Sequence, residues 1–144
     1  MALKTILVGV DGSHASNAAV RWAIELAELL GARLIALHSL GLLSSVPQEG
    51  LVPTEGHRRA IVEEFENDWC APIHQSGVSC KTVIVDGNPV SAILAVSEEE
   101  NVDLVVLGSR GHSVTGVLLG STSHQVAERS RCPVVIIPPK AALD

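Results

Sequence analysis

An α/β fold is predicted for this chain, as a single open, doubly wound parallel sheet of five strands with helices on both faces. Short apolar segments rich in β-branched residues alternate along the chain with segments whose apolar residues recur at helical spacing. Such alternation is typical of a parallel sheet joined by right-handed crossover helices. The strand segments are apolar on both of their faces, as expected for strands that helices cover on both sides.

The composition is that of one water-soluble domain covering residues 1–144. Hydrophobic residues make up 47% of the chain and charged residues 18%, and no apolar run approaches the roughly 18 residues of a membrane span. We expect no membrane contact and, because no signal-type segment is present, a cytoplasmic location. The net charge of −6 argues against a nucleic-acid partner. Cys70, Cys80 and Cys132 are widely spaced, which favours reduced thiols over disulfides or a metal site.

The first part of the chain predicts two strands with a helix between them. Residues 4–10 are short, apolar and β-branched, as in a buried strand. Ser13 is the predicted cap of the first helix, and Gly31 is its predicted end. Residues 33–40 form the second predicted strand. Residues 41–56, which contain two prolines, are the least structured segment and are long for a connection in a compact domain.

An amphipathic helix and a third strand are predicted next. Phe65 and Trp69 are spaced four apart beside several glutamates, so we expect a helix with an acidic outer face that Pro72 ends or kinks. Trp69 and the other tryptophan, Trp22, both fall on apolar helix stripes and are expected in the core. Residues 78–85 alternate between polar and apolar as the third strand.

The third helix has the clearest start signal, with Asn88 as cap and Pro89 at the first helical position. Glu98, Glu99 and Glu100 stand at its far end. We expect a solvated end that frays, because the helix dipole disfavours negative charge there. The remaining predicted elements are a strand at 104–107, a helix at 121 to about 129 and a strand at 133–138.

Residues 103–126 are the most informative stretch of the sequence. An apolar strand leads through a glycine-rich loop into a Ser-Thr-Ser helix cap. Glycine permits close approach of the backbone to a ligand, and a helix start offers unpaired N–H groups at the positive end of a dipole. We therefore expect a polyphosphate to bind here, held also by Arg110, His112, Ser121 and Thr122.

Three other interpretations of the loop compete with a polyphosphate site. Glycines alone would also suit an ordinary connection between a strand and a helix. A nucleophile elbow of the form Gly-x-Ser-x-Gly would need glycine at 115, where the chain has threonine. A Walker-type phosphate loop would need a lysine after the glycines, and none is present.

Polar residues follow the carboxyl ends of three predicted strands. Asp11 follows the first, Ser39 ends the second, and the 108–122 loop follows the fourth. Ligands of doubly wound sheets bind beyond the carboxyl ends of the strands, where the strand order reverses. These residues can converge on one crevice if the first and fourth strands are neighbours.

These motifs together resemble the universal stress protein family, and in particular its nucleotide-binding branch. The matching segments, which extend over nearly the whole chain, are residues 6–13, 36–39, 87–90, 105–111, 118–122 and 132–138. The resemblance implies five parallel strands in the order 3-2-1-4-5. It also implies ATP as ligand, with Mg²⁺ possible, and a homodimer formed through the last strand.

The resemblance further implies which residues bind the nucleotide. Those on the adenosine side would be Gly9, Val10, Asp11 and Ser39. Those around the ribose and phosphates would be Gly108, Ser109, Arg110, Gly111, His112, Gly120, Ser121 and Thr122. Eight residues, 112–119, separate the second and third of the matched glycines, one fewer than in the family pattern.

The leading hypothesis for function is an ATP-binding stress-response or signalling module. Hydrolysis would be slow at most, because paired carboxylates, a general base and a phosphate-binding lysine have no sequence signal. An alternative is a dimeric interaction module that the shortened loop prevents from binding nucleotide. Its apolar edge strand would pair through Val134, Val135, Ile136 and Ile137.

A phospho-acceptor switch of the receiver type is the less favoured alternative. Asp11, Asp86 and Lys140 each follow a predicted strand, and Asp86 would be the acceptor. A receiver also needs an acidic pair after its first strand, whereas Gly12 and Ser13 follow Asp11 here.

Overall fold

A five-stranded parallel sheet is the centre of the computed structural model, which describes residues 2–41, 55–109 and 120–139. Its strands are β1 (Thr5–Gly9), β2 (Arg33–Ser39), β3 (Cys80–Val85), β4 (Leu104–Gly108) and β5 (Val134–Ile137). They lie in the order β3-β2-β1-β4-β5, and each neighbouring pair is parallel. The predicted fold class and strand order are confirmed.

Helices cover both faces of this sheet. They are α1 (His14–Leu30), α2 (Glu55–Glu64), a π-helical turn (Phe65–Trp69), α3 (Ala71–Ser76), α4 (Pro89–Glu99) and α5 (Ser121–Arg129). Alternate residues of β1 enter two separate core layers, as the two-residue period of a strand requires. Ile6 packs in the layer that contains Phe65 of the π-helical turn, whereas Leu7 packs in the layer that contains Ile93 of α4 and Val126 of α5.

Local capping signals set the ends of α1 and the start of α4. The Ser13 hydroxyl accepts a hydrogen bond from the Ser16 N–H at 3.2 Å, and Gly31 ends α1 with a left-handed φ of 65°. The Asn88 side chain accepts hydrogen bonds from the N–H groups of Val90 and Ser91, at 2.8 and 3.3 Å. The predictions for these helix ends are confirmed.

The predicted amphipathic helix is instead three consecutive helical segments. At the end of the π-helical turn the Cys70 N–H donates to the Phe65 carbonyl at 2.9 Å, five residues back. Pro72 lies in the first turn of α3, where its missing N–H costs no helical hydrogen bond. Pro72 therefore begins a helix rather than ending one, and the break lies just before it.

At the end of α4, Glu98 and Glu99 are exposed as predicted, whereas Glu100 is partly buried and ion-paired. One carboxylate oxygen of Glu100 pairs with Arg33 at 3.1 Å, and the other pairs with Lys81. Hydrogen bonds from Lys81 and Arg33 lower the pKa of Glu100. Because Arg33 lies in β2 and Lys81 in β3, Glu100 ties the end of α4 to the sheet, and the two cations offset its unfavourable position on the dipole.

The cysteines and edge strands complete the framework. All three cysteines are free thiols, as predicted, and burial raises the pKa of Cys70 to about 12. β3 and β5 are the two edges of the sheet. No helix in the described part of the chain combines the length and apolarity needed to cross a membrane. Most of the segment predicted to be least structured, residues 42–54, lies outside the described residues.

Candidate functional site

A cavity of about 510 Å³ opens at the carboxyl ends of β1, β2 and β4. The strand order reverses between β1 and β4, so the cavity lies where doubly wound sheets bind ligands. Its volume falls within the range of small-molecule sites. Its walls come from the ends of these strands, the β1–α1 turn and the starts of α4 and α5.

Most of the residues predicted to bind a ligand lie together around this cavity. Eight of them line it, namely Gly9, Val10, Asp11, Ser39, Gly108, Gly120, Ser121 and Thr122. Ser109 is buried and does not line the cavity. Its N–H donates to the Ile137 carbonyl at 2.8 Å, and its carbonyl accepts from the Gly120 N–H at 2.6 Å. Arg110, Gly111 and His112 lie outside the described residues.

Asp11 shapes the β1–α1 turn and also forms part of the cavity wall. Its carboxylate accepts a hydrogen bond from the Ser13 N–H at 2.9 Å. Its own N–H donates to the Ser16 hydroxyl at 3.0 Å. Asp11 therefore has a structural role in the turn as well as its predicted place in the cavity wall.

His38 is packed behind the cavity and also reaches its wall. Its Nδ1 lies 2.6 Å from the Val10 carbonyl, which can only accept, so Nδ1 carries the proton. The imidazole is stacked with Phe65 at 6.0 Å between centroids and meets Trp69 edge-on at 5.1 Å. Burial lowers the pKa of His38 and so favours the neutral form of the ring.

Ser39 joins two walls of the cavity. Its hydroxyl donates to the carbonyl of Gly87, in the turn between β3 and α4. The start of α4 follows this turn, and Pro89 and Ile93 of α4 line the cavity. The hydrogen bond therefore fixes the end of β2 against the α4 side of the site.

Gly108 is a glycine for a reason that the sequence did not reveal. A Cβ added at this position would lie 2.6 Å from the carbonyl carbon of Ala15 and 2.8 Å from its Cβ. Packing of β4 against α1 thus excludes a side chain here, whatever ligand the cavity takes. At Gly9 an added Cβ would instead meet the Leu107 side chain at 2.6 Å, and that side chain can move.

The start of α5 differs from the predicted Ser-Thr-Ser cap. Gly120 occupies the cap position, and no side-chain cap is formed there. Ser121 and Thr122 begin the helix and line the cavity. Ser123 instead donates its hydroxyl to the Gly108 carbonyl at 2.8 Å, which ties α5 to β4. The cavity therefore borders a helix start whose cap residue, Gly120, has no side chain to offset the positive end of the dipole.

The described cavity wall combines this polar helix start with an apolar surface. The lining residues that were not predicted from the sequence are Ser16, Leu37, His38, Leu40, Pro89, Ile93, Leu107 and Ser123. Asp11 and His38 are the titratable residues among the described lining. Nowhere in residues 2–41, 55–109 and 120–139 do three or more His, Cys, Asp or Glu side chains form a possible metal site. The arrangement suits a ligand with a flat, partly apolar group and an anionic group.

Asp86, the acceptor in the receiver hypothesis, lies apart from this wall. It follows β3, which is an edge strand, and its carboxylate pairs with Arg58 of α2. It does not line the cavity. Receiver-like sheets have the order 2-1-3-4-5, which places the third strand beside the first. The observed order therefore argues against Asp86 as an acceptor.

Comparisons with known proteins identify relatives along nearly the whole chain. The sequence model described as the universal stress protein family matches residues 2–138. Universal stress protein YxiE of Bacillus subtilis is 32% identical, over 92% of this chain and 97% of that protein. The structure of universal stress protein UspA from Lactobacillus plantarum has 29% identity and a TM-score of 0.76, over 95% of this chain and 99% of that one. A universal stress protein solved in complex with cAMP has 30% identity and a TM-score of 0.71, over 97% and 100%.

Proposed function

The chain belongs to the universal stress protein family, and from that premise we propose that it binds an adenine nucleotide, with ATP as the expected ligand. The binding site is the cavity at the carboxyl ends of β1, β2 and β4. One observation carries the proposal: eight residues that the family resemblance assigned to a nucleotide line this single cavity at the reversal of strand order. The relative solved with cAMP makes cAMP the second ligand to test.

The adenosine is assigned to the apolar part of the wall. Leu37, Pro89 and Ile93 offer a surface on which a purine can be desolvated. Asp11 supplies a carboxylate at the same wall. A carboxylate accepts hydrogen bonds only, which suits the hydroxyl groups of a ribose.

The phosphates are assigned to the start of α5. Ser121 and Thr122 supply hydroxyl donors there, and the first-turn N–H groups and the dipole favour an anion. A magnesium ion would arrive with ATP and be held mainly by the phosphates, because magnesium usually binds through substrate phosphates and one or two carboxylates. Asp11 is the one carboxylate in the described wall.

Nucleotide binding, rather than turnover, is the proposed activity. The described lining contains one carboxylate and no lysine or arginine, so it offers little to stabilise charge in a phosphoryl-transfer transition state. Any hydrolysis of ATP is then slow. Bound ligand raises the stability of the folded state. The stability of a stress-response module would then depend on nucleotide concentration.

Calorimetric titration with ATP and with cAMP tests this proposal. We compare the unsubstituted chain with Ser121→Asp and Ser121→Asn. An aspartate in the first turn of α5 favours the helix but repels phosphate, so Ser121→Asp should lose ATP binding without losing thermal stability. Ser121→Asn keeps a neutral polar side chain and should bind within a few-fold of the parent. Absence of binding by the parent, or equal binding by all three proteins, contradicts the proposal.

We also propose that the chain forms a homodimer through β5. This strand lies at the edge of the sheet, and Val134, Val135 and Ile136 are only partly buried. An apolar edge strand with unpaired backbone groups is a liability unless another strand covers it. Ile136 belongs to neither core layer, so Ile136→Lys should yield a folded monomer by light scattering at micromolar concentration. A monomeric parent chain contradicts the proposal.

A further inference from the structure

We propose that Trp69 is a positioning residue for the cavity, although its side chain does not line it. Its indole packs on the back of the β1–α1 turn and holds Asp11 in the orientation that faces the ligand. This inference rests on the proposed nucleotide binding and adds to it a residue from the opposite side of the wall.

The first contact is with Gly12, the residue after Asp11. A Cβ added to Gly12 would lie 2.5 Å from Cε2, 2.7 Å from Nε1 and 2.8 Å from Cζ2 of Trp69. The indole thus occupies the space that a side chain would take. Gly12 also has a φ of 80°, a conformation that glycine adopts readily. Both the positive φ and the adjacent indole ring therefore restrict residue 12 to glycine.

The contact at Gly12 also affects the position of the Asp11 carboxylate, because both residues belong to one hydrogen-bonded turn. The Ser13 N–H donates to that carboxylate at 2.9 Å, so Gly12 is the middle residue of a closed hydrogen-bonded turn. A shift of the Gly12 backbone would move the donor and the carboxylate together. The indole therefore limits the movement of a group that the cavity presents to its ligand.

The second contact reaches the same wall through His38. Trp69 meets the imidazole edge-on, with 5.1 Å between ring centroids and an angle of 75°. His38 in turn donates to the Val10 carbonyl at 2.6 Å. Val10 and His38 both line the cavity. Trp69 is thus connected to both chain neighbours of Asp11, directly to Gly12 and through His38 to Val10.

The local helix geometry places this ring. Trp69 closes the π-helical turn, which also carries Phe65, and the two rings are 6.4 Å apart at 85°. Single π-helical turns within helices are frequent at functional sites. The whole chain has one phenylalanine, two tryptophans and no tyrosine. Two of these three aromatic side chains therefore stand behind the Asp11 wall, on a segment that interrupts the regular helix.

A matched pair of variants separates positioning from packing. Trp69→Phe and Trp22→Phe each remove one indole, and both tryptophans are partly buried against the same core layer. Trp22 lies in α1, outside the cavity lining. Calorimetric titration with ATP should show an affinity near that of the parent for Trp22→Phe. Trp69→Phe should bind about tenfold more weakly, because a displaced Asp11 carboxylate makes a weaker hydrogen bond to the ligand.

Tryptophan fluorescence gives a second measurement, which should respond to ATP only if the indole contacts the ligand site. In Trp22→Phe the only indole is Trp69, and its emission should change as ATP saturates the site. In Trp69→Phe the only indole is Trp22, and its emission should stay constant. This measurement on Trp22→Phe leaves Trp69 and its contacts intact, so it is informative even if Trp69→Phe folds poorly.

Gly12→Ala tests the contact from the other side. It should weaken ATP binding in the parent, where the new methyl group meets the ring, and weaken it less in a Trp69→Ala background. Equal affinities of Trp69→Phe and Trp22→Phe, unchanged emission of Trp69, or strictly additive effects of Gly12→Ala and Trp69→Ala would overturn the role of Trp69 alone. Failure of the parent chain to bind ATP would overturn the nucleotide proposal together with it.

Discussion

His38 shows how one side chain can serve both the core and the cavity. Its ring is held by two aromatic neighbours and by the Val10 carbonyl. Asp11 is the charged group that acts on it, yet burial has the larger effect and lowers the pKa. The folded chain therefore keeps a neutral imidazole where the unfolded chain would take up a proton.

This gives a pH dependence of stability with a definite sign. Because the folded pKa of His38 lies below its ordinary value of 6.5, its contribution is complete above about pH 6.5 and is lost as the pH falls through the folded pKa. Urea unfolding from about pH 8 to about pH 5 should show a steeper loss of unfolding free energy in the parent than in His38→Asn. Asparagine retains an N–H donor for Val10 and does not titrate. Parallel pH profiles would contradict the prediction.

Gly108 and Gly9 offer a second test at single residues. Gly108→Ala should lower the unfolding free energy by about 1–3 kcal/mol, the usual cost of overpacking, because the new methyl group meets the backbone of Ala15. Gly9→Ala should cost less, because Leu107 presents only the end of a side chain. Urea denaturation of both variants measures the difference. An equal or larger loss for Gly9→Ala would show that β4 can move away from α1.

At the scale of elements, the sequence predicted the helix ends that depend on residues close together in the chain. Ser13, Gly31 and the Asn88-Pro89 pair marked helix ends correctly because caps depend on a few neighbouring residues. The π-helical turn was missed because Phe65 and Trp69 have a spacing that also fits an ordinary α-helix. Glu100 was predicted to be solvated because its two partners, Arg33 in β2 and Lys81 in β3, are distant in sequence.

The Asn88 cap provides the test for this scale. Asn88→Ala removes the acceptor for two N–H groups at the start of α4 and should cost about 1 kcal/mol of unfolding free energy. Asn17→Ala is the matched control, because Asn17 is exposed inside α1 and alanine is favourable in a helix interior. Thermal unfolding of the two variants should separate them clearly. A loss at position 17 equal to that at 88 would mean that the cap is not what the substitution removes.

For the molecule as a whole, the alternation of strands and helices was enough to predict a doubly wound sheet, and the family resemblance supplied its strand order. The order then explains why Asp11, Ser39 and Gly108, far apart in sequence, share one cavity. The apolar part of the wall was not predicted. Pro89 and Ile93 reach it only because the crossover that carries α4 places the start of that helix beside the end of β2, and no local pattern encodes that placement.

A crystal structure of the chain grown with excess ATP is the most direct test of nucleotide binding at this cavity. We predict the purine against Leu37, Pro89 and Ile93, the ribose near Asp11, and the phosphates at the start of α5. A cavity without nucleotide at saturating ATP, or ATP bound elsewhere on the chain, would contradict the assignment of this site.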